Sequence, residues 1–288
     1  MEIINYDVLI PARDEENNIK KTLESINNQT IKPNSVIVVN DNSVDNTEKI
    51  ATSTGVKVVN FPYQHKNWVT SGKLGIVFSF GMNFFNKNNS HFVILGGDHI
   101  LPENYVEQII RNMKKDNVDL ASGIIENEIT ISPRGSGRIF TKKAMNCIEW
   151  KYQPNWGYET YALFKIQSEG MKTLVYPIIT KTQRPTGENY NVKKFYRMGF
   201  SYKALGYTSF YGIGRSLTIT KKFGVYNGLM FSLGFLIVGD ASPPEIPSVL
   251  IGEICLWLAA LLTLWTGYDY LRSGLLHASA GDSDRMDD

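Results

Sequence analysis

The stretch VLIPARDEENNIKKTLESINNQ, Val8 to Gln29, followed by VIVVNDNSVDNT, Val36 to Thr47, decides the fold. Each segment is a short apolar run that stops at a polar cluster and then turns into a helical pattern. Asp7 to Pro11 predicts a buried strand, and Ile19, Leu23 and Ile26 recur behind it at helical spacing, with Asp14 or Asn17 as a cap. Ser35 to Asp41 predicts a second strand, with a helix opening at Ser43 or Asp45.

The alternation continues outward from that pair. Strands are expected at Val56 to Phe61, Phe92 to Leu95, Val118 to Ser122 and Thr173 to Ile179. Helices are expected at Leu74 to Phe85, Glu103 to Lys114, Lys142 to Ile148, and from Tyr158 or Glu159 to Gly170. Strand–helix alternation at this spacing predicts an α/β fold with a mostly parallel sheet and helices on both faces, in which ligands sit beyond the carboxyl ends of the strands. Three polar clusters fall there and converge on one rim: ARDEEN after the first strand, NDNSVDN after the second and GGDH after the fourth.

The 288 residues carry a formal charge of +2, which does not suggest a nucleic-acid partner. The two cysteines, Cys147 and Cys255, form neither a disulfide framework nor a metal-binding cluster. The N-terminus lacks a basic leader and reads as a first strand, so this portion is expected to face the cytoplasm. Positive charge gathers between Lys181 and Lys222, with Glu188 as the sole acid, beside an apolar C-terminal region. Phe223 to Gly239 is 17 residues without a charge, and Ile246 to Tyr268 is 23 with only Glu253 charged. About 17 to 25 apolar residues suffice to span a bilayer as a helix. The pattern predicts a C-terminal transmembrane hairpin, a multi-pass cell-membrane location and contact with membrane lipids. The readings of a buried hairpin, or of one span with an interfacial segment, stay open. The expected organisation is an α/β domain over 1–185, a basic amphipathic juxtamembrane segment over 186–222, a two-pass hairpin over 223–272 and an acidic cytoplasmic tail over 273–288.

Several rim residues carry chemistry, each beside a plainer reading. Asp41 suits ribose hydroxyls or base N–H groups, and equally an Asx turn with a helix cap. Arg13, Asp14 and Glu15 share that ambiguity. No G-x-G-x-x-G follows the first strand, so side chains would have to bind any nucleotide. Lys73, in SGKLG, offers a flexible positive charge to a phosphate or to solvent. Asp98 and His99 suit Mg²⁺ or Mn²⁺ completed by diphosphate oxygens, or else cap a strand end. Glu159 after NWG is placed either as a general base or as an acid favoured at a helix N-terminus.

Together, from about Tyr6 to Pro185, these motifs resemble family 2 glycosyltransferases with a GT-A, Rossmann-like fold. The resemblance implies that Pro11, Ala12, Arg13 and Glu15, with Asp41, cradle the donor nucleotide, that Asp45 supports their turn, and that Lys73 approaches the diphosphate. The family's D-x-D metal motif aligns its second aspartate on Asp98 and its first on Gly96, which departs from the pattern. The metal is then implied to rest on Asp98 with His99. The acidic pair before the acceptor-side helix becomes Glu159–Thr160, implying Glu159 as the catalytic base, with Trp156 and Gly157 beside the acceptor. KTQRPTG resembles the segment near acceptor and diphosphate, implying roles for Gln183 and Arg184, and more weakly Arg138 in GSGRIF. The implied reaction is an inverting transfer from a nucleotide sugar to a lipid-linked saccharide at the cytoplasmic membrane face. Transfer to a polyprenyl phosphate, as in dolichyl-phosphate sugar synthases, and non-catalytic nucleotide-sugar binding are the alternatives.

Overall fold

The computed structural model describes residues 4–63, 73–126, 132–133, 135–153, 157–184, 192–236, 262–263 and 265–268. It divides into two compact units, Met1–Lys194 and Phe195–Asp288.

In the first unit, β1 (Tyr6–Ala12), β2 (Ser35–Asn40), β3 (Lys57–Asn60) and β4 (His91–Ile94) alternate with α1 (Ile19–Asn27), α2 (Thr47–Ser53) and α3 (Lys73–Met82). Then follow β5 (His99–Ile100), α4 (Tyr105–Asp116), β6 (Leu120–Ile125), β7 (Arg138–Thr141), α5 (Lys142–Cys147), α6 (Tyr158–Ser168) and β8 (Thr173–Thr182). The sheet order is β3-β2-β1-β4-β7-β6-β8-β5. Strands β1, β2, β3 and β4 are mutually parallel, as are β6 and β8, while β7 and β5 pair antiparallel with their neighbours. The sheet is therefore mixed. Strand β7 hides in a stretch that reads as irregular, because four residues opening on an arginine are too few to display a period.

Side-chain alternation sends successive residues of each strand to opposite faces. Val8, Ile10, Val38 and Val93 bury against α1 and α4 on one face, through Ile19, Leu23, Ile26, Tyr105, Ile109 and Met113. Leu9, Ile37, Val39, Phe92 and Ile94 bury on the other against α3, α5 and α6, through Val77, Met82, Met145 and Ile166. Two cores clamp the sheet, and the rim loops emerge from strand ends that are wholly buried. Tyr105 fastens the middle of this frame: its hydroxyl donates to the Gly137 carbonyl at 2.6 Å and accepts from the Gly123 N–H at 2.7 Å.

Helices α7 (Val192–Ala204), α8 (Ser209–Phe223) and α9 (Val225–Leu236) follow β8. Phe195, Ile219, Phe231 and Phe235 form the core of the second unit. Here the expected membrane hairpin is corrected. Among the described residues no helix is long and apolar enough to cross a membrane. Gly224, at φ +93°, separates α8 from α9 inside the stretch read as the first pass. Two glycines here permit close packing: a Cβ at Gly234 would strike the Tyr196 carbonyl, and one at Gly199 the Phe231 carbonyl. The hairpin, the membrane location and the multi-pass topology are withdrawn on this finding; most of the expected second pass lies outside the described residues.

Candidate active site

The loops after β1 and β2 are zipped together. Asp14 and Asn42 both take left-handed backbone, with φ of 53° and 55°. The Asp14 carboxylate accepts from the Val44 N–H at 2.9 Å, and the Glu15 N–H donates to the Thr47 hydroxyl at 2.7 Å. Asp45 accepts from the Thr47 N–H and hydroxyl and from the Glu16 N–H. Burial opposes its charge, but these hydrogen bonds outweigh it and hold its pKa below the ordinary carboxylate value. Asp45 therefore builds the turn, and the Asx chemistry visible in the sequence is structural at this position.

Asp41 sits beneath the turn, wholly buried, with its N–H donating to the Ala12 carbonyl at 2.9 Å. Its Oδ2 has no hydrogen-bond partner among the described residues and lies 3.7 Å from Arg13 Nη1. A buried carboxylate oxygen left without a donor is costly unless something supplies one. Pro11 and Ala12 are buried in β1 directly beside it, paired with Val39 and Asn40.

The third loop brings Asp98 to the same rim. Arg184 Nε donates to Asp98 Oδ2 at 3.1 Å, and Arg184 Nη2 pairs with Glu15 Oε1. Burial raises the Glu15 pKa, against the opposing influence of Asn18 and Arg184. Gln183 places this arginine: its N–H donates to the Asp98 carbonyl at 2.8 Å, and its side chain donates to the Asn18 carbonyl at 3.0 Å.

The expected Mg²⁺ or Mn²⁺ site does not fit these residues. Among the described residues no group of three or more His, Cys, Asp or Glu side chains is arranged to hold a metal ion. His99 does not join Asp98 at the rim. It enters β5, where it pairs with Thr182, and its imidazole is wholly buried beside Gly137 with neither nitrogen hydrogen-bonded. Burial pushes its pKa down to about 4, against the opposing pull of Asp98. The other expected donor, Asp98, has one oxygen engaged by Arg184. The metal assignment to Asp98 and His99, and the divalent cofactor with it, is thereby corrected.

On the acceptor side, Gly157 at φ +86° starts α6, and Glu159 stands in its first turn. Arg138, the first residue of β7 and wholly buried, lies with Nη2 2.9 Å from Glu159 Oε1. Its guanidinium also stands 5.5 Å from the Tyr152 ring centroid and 5.8 Å from that of Phe140. Burial works against the Arg138 charge, but Glu159 overrides it and keeps the pKa raised. Two residues before Arg138, the Ser136 hydroxyl accepts from the Gly96 N–H at 2.6 Å. A single short segment therefore ties the Asp98 loop to Glu159. Ser136 and the pairing of Arg138 with Glu159 escaped sequence reasoning; the available signal was one arginine heading an otherwise apolar strand directly after GSG.

Lys73 opens α3, with its side chain outside the described residues, and Trp156 also lies outside them. The structure brings Pro11, Ala12, Arg13, Glu15, Asp41, Asp98, Gln183 and Arg184 to one rim. It binds Gly157 and Glu159 to that rim through β7, and it removes His99 from it.

Comparison with known proteins agrees with this architecture. Residues 7–169 match glycosyl transferase family 2. An uncharacterised glycosyltransferase of Rickettsia typhi is 32% identical over 114 residues, 39% of this chain and 33% of that protein. A 4,4'-diaponeurosporenoate glycosyltransferase of Staphylococcus haemolyticus is 39% identical over 69 residues, 24% of this chain and 18% of that protein. The chain thus spans about a third or less of the length of these relatives. Among solved structures, the mannosyltransferase PcManGT of Pyrobaculum calidifontis, in complex with GDP-Man and Mn²⁺, superposes with a TM-score of 0.58 at 14% identity, covering 90% of this chain and 80% of that one. The glucosyl-3-phosphoglycerate synthase of Mycobacterium tuberculosis gives 0.55 at 13%, covering 69% and 79%. With the family matched over more than half its length and the mixed sheet in place, the chain belongs to glycosyl transferase family 2, an enzyme family built on the GT-A fold.

Proposed function

We propose that this glycosyltransferase moves a sugar, with inversion, from a nucleotide-sugar donor to a hydroxyl of a polyprenyl-linked saccharide. The observation that carries the hydroxyl acceptor is the pairing of Arg138 with Glu159. A half-buried carboxylate at a helix head, fixed by a buried guanidinium, suits a general base. A lipid phosphate is already anionic and needs no such group. On the donor side, Asp41, whose buried Oδ2 lacks a hydrogen bond among the described residues and lies 3.7 Å from Arg13, Arg13 itself and the Pro11–Glu15 backbone hold the nucleoside, while Arg184 faces the diphosphate. In the transfer, the bond from the anomeric carbon to the diphosphate oxygen breaks, and its electron pair leaves with the diphosphate. The acceptor oxygen bonds the anomeric carbon from the opposite side, and its proton passes to Glu159.

The lipid part of the acceptor is supported by α8 and α9, which expose Phe210, Ile213, Leu217, Leu229 and Leu236 to solvent. Large apolar side chains left in solvent in this number on two helices are the kind of surface an apolar partner covers. The Staphylococcus haemolyticus relative is named for transfer to 4,4'-diaponeurosporenoate.

Incubating the purified chain with a panel of nucleotide sugars and extracted lipids tests the reading. The expected product is lipid-extractable and survives mild acid. An acid-labile product instead supports sugar transfer to a polyprenyl phosphate, and no lipid-borne product across the panel rejects the lipid acceptor. Glu159→Gln is expected to lower kcat by about 10²- to 10⁴-fold, the range of general-base catalysis. Near-normal turnover rejects Glu159 as the base.

A further inference from the structure

We propose that the Arg184 guanidinium is the resident cation of the donor diphosphate site, so that this chain transfers its sugar without a divalent metal ion. The proposal rests on the donor-site reading above and concerns what neutralises the leaving group.

Three observations carry it. The first is the crowded surroundings of the missing carboxylate. A Cβ at Gly96 would lie 3.3 Å from Asp98 Oδ1 and 3.4 Å from Ser136 Oγ, and the Gly96 N–H is already bound to that hydroxyl at 2.6 Å. A side chain there needs Asp98 Oδ1 to give way by a few tenths of an ångström, and a carboxylate on it places a second negative charge against Asp98. The second is the occupation of the remaining carboxylate. Arg184 bridges Asp98 Oδ2 and Glu15 Oε1, joining the loops after β4 and β1 across the rim where a bridging cation is needed. A metal ion taking Asp98 Oδ2 has to displace a guanidinium held from both sides. The third is that the arginine is positioned by what surrounds it. Gln183 is fixed to the Asp98 carbonyl, to the Asn18 carbonyl and, at 3.3 Å, to the Thr22 hydroxyl, which itself donates to the Gly97 carbonyl at 2.8 Å.

Arg184 is suited to the task. Nε and one Nη2 hydrogen serve the two carboxylates, which leaves three of its five N–H groups without a partner among the described residues, on a side chain 54% exposed. A planar fork of free donors matches two phosphate oxygens at once, and a guanidinium is never deprotonated at working pH. When the anomeric C–O bond breaks, the electron pair and added charge on the diphosphate oxygen meet N–H donors already in place, and no ion has to be recruited.

The test uses the purified full chain, with UDP and GDP as probes, by calorimetry in EDTA and then with Mn²⁺. One nucleotide is expected to bind in EDTA, with affinity changed less than about threefold by Mn²⁺. Mn²⁺ alone is expected to keep its free electron paramagnetic resonance signal at stoichiometric protein. Arg184→Ala should weaken the nucleotide about 10- to 100-fold, the scale of one or two charge-assisted hydrogen bonds, and Mn²⁺ should not restore it. Arg184→Lys should recover part of the loss. Nucleotide binding that requires Mn²⁺, or stoichiometric loss of the Mn²⁺ signal in the wild-type chain, overturns the role of Arg184 and leaves the donor site standing. Binding of neither nucleotide under either condition overturns the donor-site reading and the proposal together.

Discussion

Replacing Glu159 by Gln while Arg138 stays in place strands a guanidinium that has no route to water. The Arg138 side chain is 2% exposed and that of Glu159 27%, so the two ends of this ion pair are unequal. Removing the partner of a buried charge costs about 3–5 kcal/mol, because the charge remains uncompensated in a low-dielectric interior. Glutamine keeps an oxygen facing Nη2, which places the expected cost near the lower end, about 3 kcal/mol. The reverse change, Arg138→Met, leaves a carboxylate that turns into solvent and a thioether among Tyr152 and Phe140. Its expected cost is about 1 kcal/mol, as for a hydrophobic group of similar volume in a packed site. In the double variant neither charge of the pair remains. It should therefore be more stable than Glu159→Gln alone, with a coupling of about 2 kcal/mol, well above the scatter expected of independent sites. Urea unfolding followed through Trp150, edge-on to Phe92 with ring centroids 4.8 Å apart, reads the core in which the pair is embedded. If Arg138→Met costs as much as Glu159→Gln, or if the two costs simply add, the reasoning from unequal burial is wrong. The experiment also separates chemistry from stability: kcat for Glu159→Gln must be measured below its lowered unfolding midpoint.

Other consequences are as definite. Tyr105→Phe leaves the Gly137 carbonyl and the Gly123 N–H unpaired in the interior, at about 1–3 kcal/mol each; a loss in urea of under about 1 kcal/mol would show that neither bond matters. His99 is held neutral, with its folded pKa near 4 against an ordinary 6.5, so the folded state binds fewer protons between those values. Its contribution is present above pH 6.5 and lost as pH falls toward 4, by roughly 3 kcal/mol at 1.36 kcal/mol per unit. A His99→Leu variant should show a flatter fall in unfolding midpoint over that window, and a slope equal to wild type counts against the assignment. Gly234→Ala should force α7 and α9 apart at the Tyr196 carbonyl and lower the thermal midpoint by several degrees, whereas Gly214→Ala, which meets open space, should not.

The sequence by itself determined the alternation of strands and helices, because a strand between two helical layers must be apolar on both sides and a covering helix must repeat every three to four residues. Val8 to Ile10, Val36 to Val39 and Phe92 to Leu95 could be read for that reason, and so could the polar clusters at their ends. Family membership followed from the same stretches. What the sequence could not decide is set by contacts across long separations. Asp98 and His99 are adjacent, yet one reaches the rim and the other the interior, because β5 pairs with β8. Arg138 and Glu159 are 21 positions apart and meet only once β7 is inserted between β4 and β6. The apolar run after Phe223 has the composition of a span, but Gly224 breaks it and glycine contacts fold it against its own neighbours. Hydrophobic period is a local property and survives in one dimension. The partner of a charge is chosen in three, where sheet order brings Arg184 across to Asp98 and Glu15.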